Sequence, residues 1–309
     1  GTTTAGAVVT MDSIGDIDGA GLVTAPTINL DADTGIGATT ALELSGQTLT
    51  IDNLDNDIDV DNASAAAVTV TTLTTAGGGN ITFDQSGGGA VEFVTTSTTG
   101  DGTDAETEDN ISLSNTGGNL TIGAGNIVAD GLGDITLTTI GAGNIILTGT
   151  TTADADTVTM ASAGDINGAG LVTAATVDLD AVTGIGNTIS LEVVASTISA
   201  DNTTSGNVDI DNTLAGAVSV TSLTTAGGAN ILFDNAGAGG VTFGVVTATE
   251  DGTPIDGEAD ITLTSTGGNL TVATSVTAGA TAGDVNLTTL GLGDIELTGT
   301  TTAGAVVTM

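Results

Sequence analysis

The sequence predicts an all-β fold: a parallel β-helix, or β-solenoid, with essentially no helix. Three observations lead there: a long internal repeat, a short strand motif recurring inside it, and an apolar set of slender side chains. The repeat is read first. Residues 1–4 (GTTT) recur at 149–152 and 299–302. GAGLVT at 19–24 returns at 168–173, an offset of 168 − 19 = 149. LTTAGG at 73–78 returns at 223–228, and TGGNLT at 116–121 returns at 266–271, both offset by 150. The chain therefore holds two diverged units, 1–148 and 149–298. Residues 299–309 (GTTTAGAVVTM) then repeat 1–11 letter for letter, 298 positions on. They read as the start of a further repeat, and the chain as a window on a longer tandem array.

Inside each unit a shorter beat marks the strands. Gly, then Asn or Asp, then an apolar–polar–apolar alternation appears at 79–83 (GNITF), 118–122 (GNLTI), 133–137 (GDITL) and 143–147 (GNIIL). The second unit answers at 206–210 (GNVDI), 268–272 (GNLTV), 283–287 (GDVNL) and 293–297 (GDIEL). A period of two puts Leu120 and Ile122 on one face and Thr121 on the other. With two or three such strands per coil, a coil takes about 20–30 residues and a unit about five to seven coils. A string of β-sandwich modules is the alternative, supported by 80–93 (NITFDQSGGGAVEF), where 85–90 could close a hairpin.

Composition decides how wide the interior can be. The chain is 39% hydrophobic, with a mean hydropathy of +0.35, so it is not a disordered acidic tail. Val, Ile, Leu and Ala dominate, 48 Gly supply turns, and four Phe are the only aromatics. A narrow aliphatic core fits that set. Phe83, Phe93, Phe233 and Phe243 fall at the same two places in each unit, as fillers of its wider parts.

Charge excludes several functions. There is no Lys, Arg, His or Cys, and 38 acidic residues give a formal charge of −38. Phosphate neutralisation needs Lys or Arg, so nucleic acid and anionic membrane surfaces are excluded as direct partners. Disulfides, thiolate or imidazole metal sites, and catalysis by a His base or Lys amine are excluded likewise. No trypsin-type cleavage point exists, which suits an exposed extracellular fibre.

The run 116–122 (TGGNLTI), with 129–139 (ADGLGDITLTT) and 143–149 (GNIILTG), resembles the coils of filamentous-haemagglutinin-type exoproteins. The resemblance implies a right-handed parallel β-helix and a large bacterial surface protein exported by two-partner secretion. It extends over most of both units. The total absence of Lys and Arg departs from typical members.

The densest acidic segment is 52–62 (DNLDNDIDVDN). With Ile58 and Val60 inward, Asp57, Asp59 and Asp61 project together from the outer face; Asp209, Asp211 and Asn212 answer in the second unit. Oxygen donors without nitrogen or sulfur are the ligand set of Ca²⁺, so these aspartates are the candidate metal ligands, against diffuse counter-ions on a solvated face. Smaller acidic groups occur at Asp16/Asp18, Asp31/Asp33, Asp178/Asp180 and 106–109. Outward Thr pairs at Thr69/Thr71 and Thr136/Thr138, with Ser219/Thr221, raise an ice-binding alternative. Asn110, Asn119 and Asn269 match the glycosylation sequon, a pattern that strand alternation after a turn Asn also produces. A carboxylate-dependent glycosidase needs only two acids, but no Trp or Tyr is present to stack a sugar. The expected function is structural and not enzymatic: a self-associating surface filament, sheath or stalk, with an adhesin stalk as the alternative.

Overall fold

Each glycine–Asn/Asp motif opens a strand whose alternate side chains turn inward, and the backbone then bends and starts another. The computed structural model describes residues 1–101, 109–252 and 258–309, and those residues contain no helix. Glu106 and the rest of 102–108 lie outside the described residues. Two units, Gly1–Ala163 and Gly164–Met309, are each wound as a parallel β-solenoid, with about 13 turns between them. The division falls 15 residues past the sequence frame at 148 (163 − 148). The frame position lies just before the strand Thr150–Ser162, which belongs to the first unit.

In unit 1 the winding is read from register. Met11 lies against Leu30, Leu30 against Ile51, and Ile51 against Leu73, steps of 19, 21 and 22 residues. Ile111–Thr116, Leu120–Ile122 and Asn126–Ala129 make one three-strand coil. It is followed in register by Ile135–Ile140, Ile145–Leu147 and the first part of Thr150–Ser162. Ile81–Gln85 pairs in parallel with Ile58–Asn62 and Ile111–Thr116, while Val91–Phe93 pairs with Val68–Thr74 and Leu120–Ile122. Residues 86–90 are therefore a coil corner, and the hairpin on which the sandwich alternative rested does not form. Unit 2 repeats the scheme, with Val208–Asn212, Ile231–Asn235, Ile261–Ser265 and Val285–Thr289 stacked in parallel.

Like stacks on like inside. Ile58, Ile81, Ile111, Ile135 and Val158 form one buried column of unit 1. Each such side chain contributes about 1.5–3 kcal/mol on leaving water. The Phe residues fill the wide parts as expected. Phe83 meets Phe93 edge-on with centroids 5.2 Å apart, and Phe233 meets Phe243 at 5.4 Å, all four fully buried.

Polar ladders hold the corners. Asn110 Oδ1 accepts the Asp134 N–H (2.8 Å) and Asp134 Oδ1 accepts that of Thr157 (3.0 Å). In unit 2, Asn187, Asn207, Asn230, Asp260 and Asp284 each accept the turn N–H one coil on, the last from Val306, at 2.7–3.0 Å. The Asn or Asp of the motif is thus the acceptor that fixes the next coil's corner, and strand propensity acts downstream of it. The sequon residues serve the same end: Asn119 accepts from Asn144 and Asn269 from Asp294, both at 3.0 Å.

A second polar column runs inside. Leu44 is followed in register by Asn62, Gln85, Asn115 and Thr139. Asn62 and its counterpart Asn212 are fully buried, which corrects their sequence reading as part of an acidic outer face. Asn62 accepts from the Gly46 N–H (2.9 Å) and donates to Gln85 Oε1 (2.7 Å), and Gln85 donates to Ser64 O (2.6 Å). Buried amides at a bend satisfy backbone groups that no strand can reach.

Close coil stacking also selects glycine. Gly37 sits at φ 68°, and a Cβ there would lie 2.0 Å from Asp59 O; Gly186 repeats this at φ 64° against Asp209 O.

Candidate functional site

The acidic faces are the chemistry the molecule presents. In the strand Ile58–Asn62, Ile58 and Val60 are buried, so Asp59 and Asp61 face outward and remain half-buried. Asp57, in the turn before, is exposed. Its Oδ1 accepts the Asn80 backbone N–H at 2.8 Å and the Asn80 side-chain amide at 3.3 Å, so it belongs to the corner ladder. Along the strand, Asp59 and Asp61 are two residues apart, about 6.6–6.8 Å.

The closer neighbours come from other coils. Glu43, Asp61, Asp84 and Ser114 stand in direct register, three carboxylates about 4.8 Å apart. The column closes where the Ser114 hydroxyl donates to Asp84. Unit 2 rebuilds it as Glu192, Asp211, Asp234 and Thr264. A third ladder, Asp12, Asp31 and Asp52, ends in a hydroxyl bond from Thr74 to Asp52. In unit 2, Asp180 stacks on Asp201, which accepts from Ser222 (2.9 Å) and Thr224 (2.6 Å).

These stacks move protonation upward. Burial first, then the charges of Asp61, Asp84 and Asp57, raise the Asp59 carboxyl above its ordinary value. Burial, then Asp84 and Glu43, raise Asp61. Asp209 is raised by burial and by Asp211, against the Ser190 hydroxyl; Asp211 is raised by burial and Asp234, again against Ser190. Asp180 rises through burial, Asp178 and Asp201.

Of the five aspartates expected from the sequence, Asp61 and Asp211 lie in carboxylate ladders. Asp59 and Asp209 flank them on the same strands, and Asp57 is engaged at a corner. Among the described residues, no three acidic side chains are gathered at metal-ligand spacing. Sequence reading missed Glu43, Asp84, Glu192 and Asp234. The signal was present, since Glu43, Asp61 and Asp84 recur at Glu192, Asp211 and Asp234 with offsets of 149, 150 and 150. Steps of 18 and 23 residues between coils hid the register.

Comparison with protein-family models, with curated proteins and with solved structures gave no match. The resemblance to haemagglutinin-type coils therefore rests on the short motifs, and the parallel solenoid agrees with it at the level of fold.

The hydroxyl faces are less regular than the acidic ones. Thr27, Thr48 and Thr69 stack directly. Thr71, however, falls in an irregularity of register beside Thr50 and bonds back to Leu49 O (2.9 Å) and the Thr50 hydroxyl (2.8 Å). Thr69 and Thr71 therefore do not form two matched columns. Thr136 and Thr138 do continue in register from Ser112 and Ser114.

Proposed function

We propose that the chain is a segment of a structural extracellular fibre, a surface filament, sheath or stalk assembled from tandem β-solenoid repeats. The observation that carries the reading is in-register stacking of like on like within each unit. Each coil supplies the next with a strand template, an apolar column and a corner acceptor, so length is gained by adding coils. Such a body transmits load and spans distance without a singular cleft. The residue set supports a mechanical role, lacking every side chain for His, Lys or Cys chemistry. The resemblance to exported surface exoproteins supports placement outside the cell, and self-association is the proposed partnership. Electron microscopy of native material tests this: long thin threads are expected, and discrete globular particles would refute it.

Divalent cations, Ca²⁺ first, are the proposed counter-ions of the carboxylate ladders around Asp59, Asp61, Asp209 and Asp211. Stacked carboxylates repel, and an oxygen-seeking cation relieves them. Chelation should lower the melting temperature or loosen bundled fibres, and an unchanged melt and morphology would remove the cation. An adhesin stalk is the second reading, favoured by the same resemblance; a distinct binding domain on the native array distinguishes it.

A further inference from the structure

The same eleven letters are seen here in two settings. In unit 1, residues 1–11 carry a neighbour on one side: Thr3 pairs with Val23, and Val8–Ser13 with Thr27–Ala32. In unit 2, residues 299–309 carry a neighbour on the other side: Thr301 pairs with Val276, and Val307 with Val285. In parallel strands, the N–H and C=O of one residue face one neighbour and those of the next residue face the other. Thr3 and Ala5 donate to Leu22 O (2.9 Å) and Thr24 O (3.0 Å), and Ala7 O accepts from Thr27 (3.1 Å). Thr2, Thr4, Val8 and Thr10 consequently turn their backbone groups to the open edge. In unit 2, Thr302 O accepts from Ala278 (3.0 Å) and Val306 O from Val285 (2.9 Å). Thr301, Ala303, Val307 and Met309 therefore face its open edge.

The two edges are complementary at a single register. With Thr301 opposite Thr3, the Thr301 and Ala303 N–H groups meet the carbonyls of Thr2 and Thr4. With Val307 opposite Val9, the Val307 N–H meets the carbonyl of Val8. Both strands require the same offset, since 301 − 3 and 307 − 9 are each 298.

Charge points the same way. Edge strands are commonly protected from pairing by charged side chains. In a chain of net charge −38, residues 1–11 and 299–309 carry none. Their internal counterpart, 149–160 (GTTTADADTVTM), carries Asp154 and Asp156. The uncharged edges also leave Val8, Val306 and Val307 exposed by 51%, 54% and 40%.

We propose that a second copy of this chain stacks head to tail on the first, its residues 1–11 added in parallel to residues 299–309 at an offset of 298. The proposal rests on the fibre reading and adds the contact surface and its register. Like coil then lies on like coil, Thr308 beside Thr10 on the outer face.

The test uses the full chain in about 0.15 M salt, which screens the acidic ends, with assembly followed by sedimentation and electron microscopy. Unbranched threads are expected. Thr10→Asp with Thr308→Asp places two carboxylates side by side across the junction, at sites whose own-chain neighbours are Asn29 and Asn286. The concentration needed for threads should rise at least about tenfold. Thr10→Asp with Thr308→Lys should restore them, and circular dichroism melts confirm that each variant is folded. Threads that tolerate the double Asp variant would show lateral contact, overturning the register while leaving the fibre reading intact. A chain that stays monomeric even in about 1 M salt also overturns the stacking, and microscopy of native material then judges the fibre reading separately.

Discussion

Replacing Asp61 by Asn should stabilise the protein, which is unusual for a half-buried strand residue. Asp61 stands between Glu43 and Asp84 in direct register. At about 4.8 Å in a water-like dielectric, each neighbouring pair repels by about 0.9 kcal/mol. Removing the central charge relieves both pairs, about 1.7 kcal/mol at low ionic strength. A Debye length of about 8 Å at physiological salt cuts this to about 1 kcal/mol. The amide keeps the shape of the carboxylate, and stacked amides can bond along the column. The assay is thermal unfolding of Asp61→Asn against the parent at neutral pH, at low and at physiological salt. A rise in melting temperature that shrinks with salt is expected, and Asp211→Asn, between Glu192 and Asp234, should behave alike. A gain that persists unchanged in acid, where the ladder is neutral, or a loss at neutral pH would refute the argument.

Mild acidification should itself stabilise the fold. Asp59, Asp61, Asp180, Asp209 and Asp211 have raised carboxyls, so the folded state binds protons more tightly than the unfolded chain. Their destabilisation is present above the folded values and is lost as pH falls toward the ordinary carboxylate range. Asp18 and Glu250 are lowered, chiefly by the Thr39 hydroxyl and the Ala282 N–H respectively, and weaken the fold only at still lower pH. A melting temperature that rises from neutral pH into the range just above about pH 4 checks the sign. Asn62→Ala should cost about 2–4 kcal/mol in denaturant unfolding, because it strands the Gly46 N–H and the Gln85 carbonyl inside. Gly37→Ala should destabilise by more than about 1 kcal/mol, since φ is 68° and Asp59 O lies in the way, whereas Gly6→Ala, with open space around it, should stay within about 0.5 kcal/mol.

Much of the fold was legible because strand alternation is local. A residue's inward or outward direction follows from its neighbours two places away, so Leu120, Ile122, Ile58 and Val60 could be oriented from the letters alone. The four Phe positions followed from the repeat, and the missing cations set the available chemistry. Register between coils was not local. Steps between stacked residues run from 18 for Glu43 to Asp61 up to 30 for Asp84 to Ser114, because corners take in extra residues without disturbing the ladder. Only the wound chain brought Glu43, Asp61 and Asp84 into one column. The bends likewise decided that Asn62 and Asn212 lie inside, where the strand leaves backbone groups unpaired, and that Asp57 serves a corner. Alternation assigns a face; which residue meets which across coils is a property of the winding.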